Sequence, residues 1–283
     1  MKLMTTLCIM VFALISTACN ANGGNSIPPP EKIFDGKQVE LAKAISAGDV
    51  GEIESSIKNG ANPNGVGKEG VTPLVWAMYN KNKPAMIALL MNGADPNMRI
   101  TTPDAHYTLQ DNSAVTFIAG ATDNEYLEIL LDHEGDMNAK TSAKEPILHA
   151  MIFNDPTNYE GMKMLLDRGA DINANDSGGS TLLVTLADLN DFEHVYYLLE
   201  RGADYTIKDG TGYGADFNIF QEKIDPNAFP EAYEWQRKCQ EFLKARGVKD
   251  PGPMKPLSAE EKEEWDRRIE EAFEAQARKR EQQ

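Results

Sequence analysis

Apolar residues recur along the chain at spacings of three and four, in short bursts separated by polar turns. Four bursts read "AMIALLMNGAD" (85–95), "YLEILLDHEGD" (126–136), "GMKMLLDRGAD" (161–171) and "HVYYLLERGAD" (194–204). That spacing puts the apolar side chains on one face, so each burst predicts a helix with one buried side. A leucine pair stands about a turn before a glycine in each, and the glycine is expected to end the helix because it accepts the left-handed conformation. A shorter helix is predicted ahead of each burst, in "VTPLVWAMYN" from Val71, "NSAVTFIAGA" from Asn112, "EPILHAMIFN" from Glu145 and "GSTLLVTLAD" from Gly179. Thr or Ser at these starts can cap free N–H groups, and Pro73 suits a first helical turn.

Polar hexapeptides close the bursts: "NGANPN" at Asn59, "NGADPN" at Asn92, "HEGDMN" at His133, "RGADIN" at Arg168 and "RGADYT" at Arg201. Their last residues, Asn64, Asn97, Asn138, Asn173 and Thr206, are spaced by 33, 41, 35 and 33. A base period of 33 with insertions of 8 and 2 accounts for all four intervals. A helix–helix–turn unit at this period, opened by Thr72-Pro73-Leu74 and closed by Gly-Ala-Asp-x-Asn, resembles the ankyrin repeat. The resemblance covers about 37–248 and implies an all-α solenoid: helix-turn-helix units with turn or hairpin tips, about five repeats and a C-terminal cap. Ser113, Pro146 and Thr181 begin degenerate openings, and His149 alone holds the family's histidine place, where the resemblance implies a hydrogen bond to backbone between repeats. The first unit, 37–66, is more polar, as an N-terminal cap should be. The last, about 211–248, echoes the hexapeptide at Arg246-Gly247-Val248, with Pro226 and Pro230 marking a longer loop.

The ends differ from the repeats. "MKLMTTLCIMVFALISTACNANGG" has a positive start at Lys2, an apolar run to Ile15 and small residues before Cys19, the form of a secretory signal peptide over 1–18. Ser-Thr-Ala before Cys19 resembles the cleavage box of bacterial lipoproteins, which implies lipidation of Cys19, and Asn20 after it implies an outer-membrane anchor; Ser16 and Ala18 also suit an ordinary signal peptidase with the same cut. Residues 19–36, with Pro28–Pro30, read as a solvated tether. After a linker, 249–283 carries an amphipathic helix: Ser258 and Glu261 form a capping box, and Trp265, Ile269, Ala272 and Phe273 share one face. That stripe either docks on the last repeat or offers a handle to a partner.

Composition narrows the function. The net charge is −16, which argues against nucleic acid, whose binders need a cationic footprint. It suits solubility or attraction of a basic partner. The three cysteines, Cys8, Cys19 and Cys239, form no disulfide framework. The four histidines lack metal-ligand spacing, and no GxSxG, HExxH or phosphate loop is present, so neither enzyme chemistry nor a cofactor or metal is expected. Cys239 reads as a packed cap residue, and His133 and His194 as structural or solvated.

Recognition remains. In the family the turn tips and the exposed side of the first helix form the binding surface. Carried onto this sequence, that surface holds Lys68, Glu69, Val71, Tyr79 and Asn80 in the second repeat. It holds Ser142, Glu145, Phe153 and Asn154 in the fourth, and Ser177, Ser180, Asp188 and Leu189 in the fifth. Tyr79, Phe153 and Leu189 are apolar where the fold does not require it, as binding hot spots are; packing between adjacent first helices is the other reading. The insertion "ITTPDAHYTLQ" (100–110), with His106 and Tyr107, is a second candidate, since long loops on rigid scaffolds often carry function; a neutral insertion at a tolerant tip is the other reading. The expectation is an exported lipoprotein that binds a protein in the periplasm, in its sharper form an immunity protein neutralising a secreted toxic effector. Envelope stress protection or a structural adaptor without a single tight partner is the alternative.

Overall fold

Each hexapeptide closes a pair of helices, and the pairs stack. The computed structural model describes residues 27–106, 109–119, 121, 123–153, 157–252 and 267. The leader, Cys19, Tyr107, Asn154 and the stripe Trp265–Phe273 lie outside the described residues. After a short α1 (Pro30–Ile33), the pairs are α2 (Lys37–Ala47) with α3 (Val50–Lys58), α4 (Pro73–Tyr79) with α5 (Lys83–Met91), and α6 (Ala114–Ile118) with α7 (Asn124–Asp132). Then come α8 (Ile147–Ala150) with α9 (Tyr159–Asp167), α10 (Leu182–Asp188) with α11 (Phe192–Glu200), and α12 (Ala215–Gln221) with α13 (Pro230–Ala245). The described residues hold no β-strand, only isolated bridges such as Asn175–Thr181 that pinch the tips. This is the helix-pair solenoid with a terminal cap that the repeat predicts.

Side chains set the helix starts. Thr72, Ser113 and Thr181 cap α4, α6 and α10 by accepting from Val75, Thr116 and Val184 N–H. The second helices of the first five pairs begin on an Asp or Asn: Asp49, Asn82, Asp123, Asn158 and Asp191 each accept a first-turn N–H, whereas α13 follows Phe229 without a side-chain cap. The first leucine of each pair, Leu89, Leu130, Leu165 and Leu198, is fully buried in a core running from Ile33 to Leu243. The carbonyls of these leucines also accept the closing bonds from Ala94, Gly135, Ala170 and Ala203 N–H at 2.8–3.0 Å. One residue thus fills the core and ties off the helix.

The glycine rule holds at Gly93 (φ 89°), Gly169 (94°) and Gly202 (88°) but fails in "HEGDMN". There Glu134 takes the left-handed turn (φ 64°), because the motif is shifted by one and Gly135 stands where the others have Ala. A side chain in that conformation is strained.

The hexapeptides are joints. Asp95, Asp136, Asp171 and Asp204 accept the N–H two residues on, forming Asx turns. The closing Asn of one unit then accepts the Asp N–H of the next: Asn64 to Asp95 (2.7 Å), Asn97 to Asp136, Asn138 to Asp171 and Asn173 to Asp204 (2.8 Å each). Each rung satisfies a backbone donor exposed by the turn.

Three details depart from the sequence reading. The packed body begins ahead of Lys37, since Ile33 and Phe34 are buried and Phe34 meets Trp76 edge-on at 5.6 Å. His149 is fully buried, yet neither ring nitrogen completes a hydrogen bond. The Ser180 and Thr181 backbone of the next repeat acts on the ring without closing that bond, and burial dominates, holding the imidazole below its ordinary value. The inserted segment is no loose loop: Ile100 and Leu109 are buried, and Arg99 ties it to Asp111 and to the Lys140 carbonyl. Cys239 is buried as expected, donating to the Phe192 carbonyl at 3.3 Å, with its thiol pushed up to about 12 by burial.

Candidate functional site

The turn tips and first helices line one side of the stack, here the inner face; the second helices line the outer face. Along the inner face the tips are hydrogen-bonded in sequence. Lys68 and Glu69 form an exposed 3-10 turn with Glu69 at φ 59°. The Glu69 carbonyl accepts from His106 N–H at 2.8 Å, so the insertion leans on the preceding tip. A Cβ on Gly70 would meet Ala105 Cβ at 2.8 Å, so the glycine makes that close approach possible. Asn112 Oδ1 accepts from Ser142 N–H (2.9 Å), Ser177 Oγ donates to Glu145 Oε1 (2.6 Å), and Gly210 N–H donates to Gly178 O (2.8 Å).

The apolar candidates part ways. Tyr79 packs edge-on against Phe117 of the next first helix at 6.0 Å, and burial, then the Glu69 charge, push its phenol upward. Asn80 is used locally, its amide donating to the Trp76 carbonyl. Phe153 (39% exposed) and Leu189 (52%) are offered to solvent, each at the end of its first-helix segment. Val71 is buried and Ser180 half-buried.

Asp188 joins Leu189 to residues the sequence reading did not single out. Its carboxylate accepts from the Asn218 amide of the next first helix. Burial first, then Asp209 and Glu222, push its carboxyl above the ordinary range, against the lowering effect of Asn218. Asp209 itself shapes the last tip, accepting from Thr211 and Tyr213 N–H. Carrying the register forward would have found it, since Asp209 stands 33 residues after Asp176.

Charges are arranged differently on the two faces. On the outer face Lys83 meets Asp123 and Glu125, Arg168 meets Glu128 and Asp132, and Arg201 meets Asp167, each pair linking neighbouring repeats. On the inner face, among the described residues, Arg99–Asp111 in the insertion is ion-paired, whereas Glu69, Glu145, Asp188, Asp209 and Glu222 enter no ion pair.

A third cluster joins the starts of α9 and α11. Tyr159 donates to Asp191, His194 Nδ1 meets Asp191 at 2.9 Å, and the Tyr159 and His194 rings stack at 3.6 Å. Burial raises the Asp191 carboxyl, but the bonds from His194 and Tyr159 outweigh it and leave the group below its ordinary value. Because Asp191 also caps α11, this cluster fixes the turn between helices. His133 bonds back to the Ile129 carbonyl at 2.9 Å. No metal-holding group of His, Cys, Asp and Glu occurs among the described residues, and no described helix is long and apolar enough to cross a membrane.

Comparison with known proteins places this geometry. A family model for the ankyrin repeat matches residues 69–100, and one for three copies of it matches 116–209. The chain is 30% identical over 188 residues to Protein PhlB of Serratia liquefaciens, covering 64% of this chain and 74% of that one. It is 28% identical over 152 residues to the mitochondrial disaggregase of Bos taurus, 52% of this chain but about a fifth (21%) of that protein's length. Among solved structures it is similar to the ankyrin repeat domain of Bcl-3 (TM-score 0.55, 19% identity, 73% of this chain and 85% of that one). An ankyrin repeat domain from Acinetobacter baumannii gives TM-score 0.55 at 18% identity, covering 74% of this chain and 98% of that one. These two likenesses concern the fold alone.

Proposed function

The chain belongs to the ankyrin-repeat family, and from that premise we propose that it is an exported, non-catalytic lipoprotein that binds a protein partner in the periplasm through its inner face. The observation that carries the reading is the contrast in charge and exposure: the outer face bridges Asp123, Glu125, Glu128, Asp132 and Asp167 to cations of the neighbouring repeat, while the inner face leaves Phe153, Leu189 and several carboxylates to solvent. A rigid row of tips with unmatched groups is what a solenoid offers a partner. A basic protein suits that row best. Lipidated Cys19 would tether the body to the outer membrane, and neutralising a secreted toxic effector fits a small acidic binder held there.

The test is capture of partners by the tagged full chain from membrane fractions, joined to deletion of the gene. One stoichiometric partner, with deleted cells becoming sensitive to it, supports the immunity role. Deletion that leaves cells insensitive to any neighbour's effector sinks that role, and envelope stress sensitivity without a stoichiometric partner favours an adaptor. Fatty-acid labelling lost in Cys19→Ser supports the anchor; labelling unchanged in that variant removes it.

A further inference from the structure

The end of α10 combines features that occur together nowhere else in the described inner face. Leu189 is an exposed aliphatic side chain that the core does not use. Asp188 beside it is exposed, held by Asn218, and lies near enough to Asp209 and Glu222 to feel their charge, with no ion pair to any of the three among the described residues. Phe153, one repeat earlier at the end of its own first-helix segment, adds a second exposed apolar group. Like charges gathered here lower the local potential for any arriving cation. The cost of holding Asp188 ionised beside Asp209 and Glu222 falls when a positive group arrives. An apolar side chain on Leu189 and Phe153 would exclude water from that contact and strengthen it.

We infer that the Asp188–Leu189 corner is the docking point for a cationic segment of a partner protein, which seats an apolar side chain on Leu189 and Phe153 and a neighbouring Lys or Arg on Asp188. This rests on the binding reading above and narrows it to one place and one chemistry. Arg is suited to the role because its planar fork can meet Asp188 and a second carboxylate together.

The probe is a library of random dodecapeptides displayed on phage and panned against the full chain. Enriched sequences should join Leu, Phe or Met to an adjacent Lys or Arg. Their synthetic forms should bind about tenfold more weakly to Asp188→Asn and to Leu189→Ser, and equally well to the outer-face variant Arg168→Ala. Asp188→Asn keeps the shape of the side chain, and Leu189 lies outside the core, so thermal unfolding of both variants should match the parent. Enriched peptides without a cation, binding indifferent to both variants, or a library that yields no binder each overturn the inference. Binders that ignore both variants but weaken with Lys68→Ala or Glu145→Gln overturn this corner and leave inner-face binding standing. If no partner is captured in the membrane experiment either, the broader reading falls as well.

Discussion

The outer and inner faces are built from the same chain at the same period, yet they handle charge in opposite ways. Outer carboxylates are bridged from repeat to repeat by Lys83, Arg168 and Arg201, with Lys83 also lying over Tyr126 and Arg201 over Tyr197 at 4.7 Å each. Inner carboxylates shape turns or stand with their own kind, as Asp188 does with Asp209 and Glu222. The difference separates two duties. The outer face uses part of its charge to join repeat to repeat; the inner face leaves Asp188, Asp209 and Glu222 open to something else.

Core substitution gives the largest effect and should respect neither face. Leu165→Ala should cost about 2–5 kcal/mol, because the side chain is fully buried and its loss leaves a cavity. Denaturant unfolding measures this. Asn173→Ala removes the rung to Asp204 and should cost about 1 kcal/mol by the same assay, with the helix content unchanged. At the shifted motif, Glu134→Gly should raise stability by about 0.5–1 kcal/mol, since the left-handed strain outweighs the added freedom of the unfolded chain. An unchanged midpoint there would mean the strain is already relieved. Arg168→Ala breaks two partly exposed outer pairs and should cost under about 1 kcal/mol, less at high salt.

Acidification probes the core between the faces. Burial holds the folded His149 below the ordinary 6.5, so the unfolded chain takes up the proton first. Its stabilising effect is therefore complete above 6.5 and declines as the pH falls from there toward the folded value. Unfolding at about pH 7.5 and about pH 5.5 should show a loss that shrinks in His149→Leu.

Much of this fold could be read before any coordinates. Leucine pairs a turn before glycine located every second helix of repeats two to five, because burial and helix termination are local rules. The rungs were hidden for the opposite reason: Asn173 meets Asp204, 31 residues away, and only stacking brings them together. Phe34 was hidden by its company, since a Pro-rich stretch reads as solvated although this side chain finds Trp76. Leu189 and Asp188 were legible as first-helix positions, but the carboxylates around them, Asp209 and Glu222, come from the next unit, and only stacking brings them together. The shifted "HEGDMN" shows the limit of a motif: the glycine was visible, while the residue that actually turns left was its neighbour.

The inserted segment has a further effect on the row it interrupts. A stack of near-identical units has translational symmetry, and a long ligand could slip along it by one unit and still find similar neighbours. The Glu69–His106 bond and the Gly70–Ala105 contact fill one interval differently from every other described one. The row thereby acquires an origin and a direction. A ligand spanning several units has one alignment with that mark in place, which converts a periodic surface into an addressed one.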